Sequence, residues 1–288
     1  MRSIRLTVVA TLLTTLAAPL LAGEAFGKFT AGKQVIAPKV ATAYEVRDQS
    51  DGRKRSVEIL LAGAALDPAQ IAGALDPHVV AINSETAKGN YILLWANADG
   101  SVSMNATFAE TMTQYIDDSH GALQVEWTEN SPQRVAGRVW SVKPVKPMSG
   151  ESWTVDVRFA ADVVRPPAGT RLPADGGEAG KALDALYRAV GKKDMAGIRA
   201  GVAPASMSSL EHDYNSPEEN LKEAVEMLGD FWLPKKHKVT GGEQRGDTAT
   251  LEVEGELYPG AKWLFLVQMV KGAAGWQFSE KVPAGKLD

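Results

Sequence analysis

RPPAGTRLPADGG, residues Arg165 to Gly177, divides the chain. Its three prolines, spaced by glycines and alanines, carry no apolar period. Proline locks φ and lacks a backbone donor, so such a run interrupts any regular element. Before this stretch apolar residues alternate as in a sheet. After it they recur at a helical spacing, then alternate again. Residues 166–177 therefore read as a linker between two domains. Pro166-Pro167 stiffens it locally.

Upstream, residues 35–165 show repeated period-two segments. Val57, Ile59 and Leu61 form one. Tyr91–Ala96 (YILLWA) is apolar on both faces and predicts a core strand. Val102, Met104, Ala106 and Phe108 follow after a turn at Asn97–Gly100. Leu123, Val125 and Trp127 alternate, as do Trp153, Val155, Val157 and Phe159. Asp67-Pro68 predicts the cap and first residue of a short helix reaching about Leu75, with Asp76-Pro77 ending it. Seven or eight short strands at this spacing predict an all-β antiparallel sandwich, Ig-like in texture.

Downstream, residues 178–284 begin with Leu183, Leu186, Tyr187 and Val190 on one helical face. Gly191 is placed to terminate that helix. Asp194 reads as the cap of a second helix through Ile198, and a loop containing Pro204 follows. Ser216-Pro217-Glu218-Glu219 is a capping box opening a helix with Leu221, Val225 and Leu228 inside, stopped by Gly229. Four strands complete the chain: Lys236–Thr240, the alternation at Leu251, Val253 and Leu257, WLFLVQMV at Trp263–Val270, and a last strand with Trp276 and Phe278. Glu252, Glu254 and Glu256 lie on the opposite side of their strand, towards water or the other domain. Helices followed by a meander predict an α+β domain with helices on a curved antiparallel sheet.

The stretches GEAGKALDALYRAVGKKDMAGI, SPEENLKEAVEMLGDF and the strands ending GWQFSEKV resemble the NTF2-like superfamily, in particular the DUF4878-like domains of exported bacterial proteins. The resemblance covers Gly177 to Val282. It implies a cone with a pocket between helices and concave sheet. Some members use that pocket for isomerase or dehydratase chemistry, and many others for non-catalytic binding or assembly.

The composition bounds the function. The chain has 288 residues, a net charge of -4 and 44% hydrophobic residues, enough for two cores and too apolar for disorder. Lys and Arg are scattered, which argues against a nucleic-acid partner. There is no cysteine, hence no disulfide and no thiolate chemistry. Arg2 and Arg5 precede an uncharged run from Leu6 to Ala22. Gly23 and Ala25 supply small residues at the −3 and −1 positions of a cut after Ala25. Residues 1–25 thus read as a signal peptide. The expected mature protein is periplasmic or secreted and keeps no integral membrane segment.

Candidate site residues are few. Tyr187, Trp232, Trp263 and Trp276 are expected to line an apolar pocket in the second domain or simply to fill its core. His212 and Asp213 lie in the loop before the capped helix, where a histidine beside an acid suits proton transfer, although a polar loop needs the same residues. Asp117-Asp118 with His120 supplies too few ligands for a metal site. Asn105-Ala106-Thr107 matches a glycosylation acceptor inside an expected strand, and Arg245-Gly246-Asp247 reads as a turn. There is no P-loop, no dinucleotide fingerprint, no H-E-x-x-H and no nucleophile elbow. No catalytic residue, metal site or cofactor is assigned. The expected function is an exported, non-catalytic protein that binds an envelope protein or a small apolar ligand. The alternatives are a pocket enzyme of isomerase or dehydratase type, and a structural or assembly protein without a pocket.

Overall fold

Ten strands share the first sheet: β1 (Glu24–Ala31), β2 (Gln34–Ile36), β3 (Val40–Arg47), β4 (Arg55–Ala62), β5 (Tyr91–Ala96), β6 (Val102–Phe108), β7 (Thr113–Asp117), β8 (Leu123–Asn130), β9 (Arg134–Ser141) and β10 (Trp153–Val164). The structure, a computed structural model, describes residues 23–48, 50–84, 89–97, 100–117, 121–147, 150–212 and 233–287. The strand order is β7-β6-β5-β4-β3-β1-β10-β9-β8, with β2 hydrogen-bonded to β1.

That order forces curvature. The two end strands, β7 and β8, are consecutive in the chain, separated only by residues 118–122. Five residues span at most roughly 20 Å. Nine strands laid flat would hold the edges nearly 40 Å apart, at about 4.8 Å per strand. The sheet therefore curls into a half-barrel, and Trp127 Nε1 donates across the gap to the Gly100 carbonyl at 3.0 Å. Its concave face is filled by Phe29, Phe108, Tyr115, Trp153 and Phe159, with the Phe29 and Trp153 rings stacked at 5.5 Å.

Two short helices, α1 (Pro68–Gly73) and α2 (Pro77–Asn83), cover the other face, where Ile71 and Ala81 pack on Tyr44, Leu60, Tyr91 and Leu93. Each starts at an Asp-Pro pair. Asp67 accepts from Ala69 N–H and Asp76 from Val79 N–H. The pair Asp76-Pro77, expected to end the first helix, instead begins the second.

The second sheet is a plain antiparallel array in chain order: β11 (Thr170–Arg171), β12 (Lys235–Arg245), β13 (Thr248–Tyr258), β14 (Ala261–Gly272) and β15 (Gly275–Lys286). Between β11 and β12 run α3 (Gly177–Lys192), α4 (Met195–Gly201) and α5 (Pro204–His212). Leu183, Leu186 and Ile198 from these helices pack on Leu251, Val253, Phe265, Val267 and Phe278. Helix α3 passes through Gly191 and ends at Lys193, which adopts the left-handed conformation at φ 55°. Pro204, expected in a loop, opens α5. The capped helix expected from Ser216 lies outside the described residues.

The expected fold classes are corrected on both sides. The N-terminal part is not a sandwich of two sheets, because its ten strands form one continuous, curled sheet. The NTF2-like cone does not belong to the C-terminal third. The curved half-barrel sheet with α1 and α2 beside it lies in the N-terminal and middle region, and the strands of the C-terminal third, with β11, make a purely antiparallel five-stranded sheet closer to half a sandwich. Alternation marks one buried face per strand, and a second sheet or the same sheet curled on itself buries that face equally well.

The stretch Arg165–Gly177 is itself structured. Thr170 pairs with Gln244 and Arg171 with Glu243, so its middle is an edge strand of the second sheet. The two sheets meet where the turn between β3 and β4 rests on the end of β15. Gly52 N–H donates to the Lys286 carbonyl at 3.0 Å, Arg53 reaches Glu254 at 3.2 Å, and Arg47 pairs with Glu252. Gly285 sits at φ +140°, and a Cβ there would lie 2.6 Å from Gly52 Cα. Only glycine admits this approach.

Candidate functional site

A cleft of about 320 Å³ opens where the rim of the half-barrel faces the side of the second sheet turned away from α3 and α4. Strand geometry decides which side chains reach it. Leu251, Val253, Phe265 and Val267 point under the helices, so residues of the opposite parity face the cleft. On β12, Gly241, Glu243 and Arg245 meet this condition. Arg171 stands directly opposite Glu243 on β11, Thr250 opposite Glu243 on β13, and Glu252 opposite Gly241. The first sheet contributes Glu45 and Arg47 from β3 and Arg55, the register partner of Arg47, from β4. Leu75, Pro77, Pro166 and Leu266 add apolar wall.

The charged groups are laid out as a chain of ion pairs. Glu45 takes Arg55 at 3.2 Å on one oxygen and Arg165 at 3.4 Å on the other. Glu252 takes Arg47, which also donates to the Gly52 carbonyl at 3.2 Å. Glu243 takes Arg245 at 2.8 Å. Arg171, on the exposed edge strand, has no ion pair among the described residues. The lining thus carries four guanidinium groups against three carboxylates, in a chain whose formal net charge is -4. The Nε–H groups of Arg47 and Arg245 are buried without a hydrogen-bond partner among the described residues. Burial, and after it the neighbouring Arg47, lowers the pKa of Arg55; an arginine starts high enough to stay charged at neutral pH all the same.

Gly241 leaves this space open. Its φ is +153°, and a Cβ there would meet only a Glu252 carboxylate oxygen, at 3.9 Å. The positive φ belongs to the irregular register of β12 between Val239 and Gly241.

The residues singled out from sequence sit elsewhere. Tyr187 donates from its hydroxyl to the Pro234 carbonyl at 2.8 Å, and its ring stacks on His237 with centroids 3.4 Å apart. Burial, then the nearby Asp184, pushes the Tyr187 phenol well above its usual range. Tyr187 therefore ties α3 to β12. Trp263 and Trp276 are half-buried against the helix-side core. None of these three lines the cleft. His212 ends α5, while Asp213 and Trp232 lie outside the described residues, as do Asp118 and His120. Asn105 and Thr107 are in β6, held between β5 and β7. Of Arg245-Gly246-Asp247, only Arg245 belongs to the cleft.

A second polar group lies under α2. The buried Glu58 carboxylate accepts from Trp95 Nε1 at 2.8 Å and bonds His78 Nδ1 at 2.8 Å. This hydrogen bond raises the His78 pKa against the opposing effect of burial. Burial, then Glu58, raises that of Tyr44. Among the described residues no group of three or more His, Asp or Glu is arranged to hold a metal ion.

Sequence reasoning missed the arginines of the cleft because they come from four separate strands. One signal was visible: the glutamates at 252, 254 and 256 mark a strand face turned away from the core. A curved sheet with adjacent helices is, generically, a fold that holds a small molecule or a partner, and no helix among the described residues is long and apolar enough to cross a membrane. Compared with known protein families and with curated proteins, the chain matches none.

Proposed function

We propose that this protein is a non-catalytic binding protein of the cell envelope whose small-molecule ligand occupies the cleft between the two sheets. The observation that carries this reading is the convergence of charged side chains from both sheets on one cavity. Its volume of about 320 Å³ lies in the range of small-ligand sites. Each of its three glutamates is engaged by arginine, which favours holding a ligand over shuttling protons. The charged lining replaces the apolar pocket expected from the aromatic residues. In this reading Leu6–Ala22 directs export. A cut after Ala25 would remove the first two residues of β1, including the buried Ala25.

A thermal-shift survey of small metabolites against wild type and Thr250→Trp tests the site. A ligand at about a hundred times its Kd adds roughly 2.7 kcal/mol, several degrees in Tm. Thr250 faces the cleft, so the indole would fill it. Compounds that stabilise wild type and leave Thr250→Trp unmoved are the expected result. Stabilisation that persists in Thr250→Trp places binding elsewhere and refutes the reading.

A further inference from the structure

We infer that the group recognised in this cleft is an oxyanion, a carboxylate or phosphate carried on a small molecule, and that Arg171 and Arg245 hold it at the edge of the second sheet. This rests on the cleft being the binding site. Three features of the lining converge on it.

The first is charge balance. Four guanidinium groups face three carboxylates, and Arg165 adds a further cation on Glu45. A neutral or cationic ligand would leave that excess uncompensated in a partly desolvated space. An anion completes it.

The second is donor supply. Every cleft carboxylate is already occupied, whereas donors remain. Among the described residues Arg171 has no ion pair, and the Nε–H groups of Arg47 and Arg245 lack acceptors. A guanidinium offers five donors in a planar fork suited to two oxygens at once. Glu243 is shared, being paired with Arg245 along β12 and standing opposite Arg171 across to β11. A ligand oxyanion arriving there finds one unpaired guanidinium and a second with a spare donor, on the same face of two neighbouring strands.

The third is space. The absent side chain at Gly241 leaves the cleft open next to the Glu252 carboxylate, two strand positions from Glu243, and Thr250 stands opposite Glu243 as a hydroxyl within the same wall. Arg171 lies on a two-residue edge strand, so replacing its side chain removes no core contact.

Isothermal titration with inorganic phosphate and with succinate, at low and high salt, tests the inference on wild type, Arg171→Gln, Arg171→Lys, Arg245→Gln and Thr250→Trp. At least one probe is expected to bind wild type, more weakly at high salt. Arg171→Gln and Arg245→Gln should each weaken it about tenfold or more, with partial recovery in Arg171→Lys, and Thr250→Trp should abolish it. Which of the two probes binds separates a phosphate from a carboxylate ligand. Binding of a probe that neither glutamine variant weakens overturns the assignment of the arginines. If neither probe binds while a neutral or cationic compound does so in a Thr250→Trp-sensitive manner, the oxyanion inference falls and the cleft remains the site. If nothing that binds is sensitive to Thr250→Trp, both fall.

Discussion

Glu58 shows how one buried carboxylate organises its surroundings. It is 5% exposed and is satisfied by Trp95 Nε1 and His78 Nδ1. His78 has its pKa raised above the ordinary 6.5 by this bond. The folded state thus holds the histidine proton more tightly than the unfolded chain. The resulting stability is complete below about pH 6.5 and fades as pH rises through the raised folded value. Melting curves of wild type and His78→Gln should therefore differ most near pH 6 and converge near pH 9. Glu58→Gln should bring the His78 pKa down, as read by NMR titration. At the same scale, Phe29 is fully buried among Phe108, Tyr115 and Trp153. Phe29→Ala should cost about 3–5 kcal/mol in urea denaturation, because the concave face cannot collapse onto the void. Phe29 itself was not read as core from sequence. It lies just beyond the expected signal peptide, in a strand whose partners are distant in the chain.

The elements divide by how local their causes are. Strands β5 and β14 were legible as largely apolar runs, and the face of α3 was legible from Leu183, Leu186, Tyr187 and Val190. Element ends were less legible. Asp76-Pro77 reads equally as a stop for one helix and a start for the next, and the structure uses it as a start. Asp76→Ala should cost about 1 kcal/mol by losing the bond to Val79 N–H, and Asp76→Asn, which keeps an accepting oxygen, should cost much less. Chemical denaturation of the two variants checks this. Helix α3 continues past Gly191 because Lys193 takes up the left-handed cap, a conformation glycine would have adopted more cheaply. Strand β11 was invisible because two residues show no period, and only their partners Glu243 and Gln244 identify them.

At the scale of the molecule, contact between the sheets creates the cleft. Arg47 is 13% exposed and Glu252 37%, so their pair is partly shielded from solvent. A double-mutant cycle on Arg47→Ala and Glu252→Ala should give a coupling of about 1 kcal/mol that shrinks with added salt. Gly285→Val should be more disruptive, since a side chain there meets the backbone of Gly52. Small-angle scattering should report a larger radius of gyration for that variant, with each sheet retaining its circular dichroism signature. A variant that stayed as compact as wild type would show that this contact does not hold the sheets together.

Period and punctuation along the chain determined the kind of the longer elements, such as β5, β14 and α3, because a strand's alternation and a helix's 3.6-residue repeat are set by the side chains within them. In the structure the first sheet ends at Val164 and the second begins at Thr170. What buries each apolar face was decided only in three dimensions. Strand β1 pairs with β10, more than a hundred residues away, and β7 and β8 become the open edges of one curled sheet. Alternation carries no record of either. The candidate site depends most on tertiary structure: Arg47, Arg55, Arg171 and Arg245 are ordinary surface residues in their own strands. They become a cluster only because two sheets, each folded by its own core, meet with these faces together.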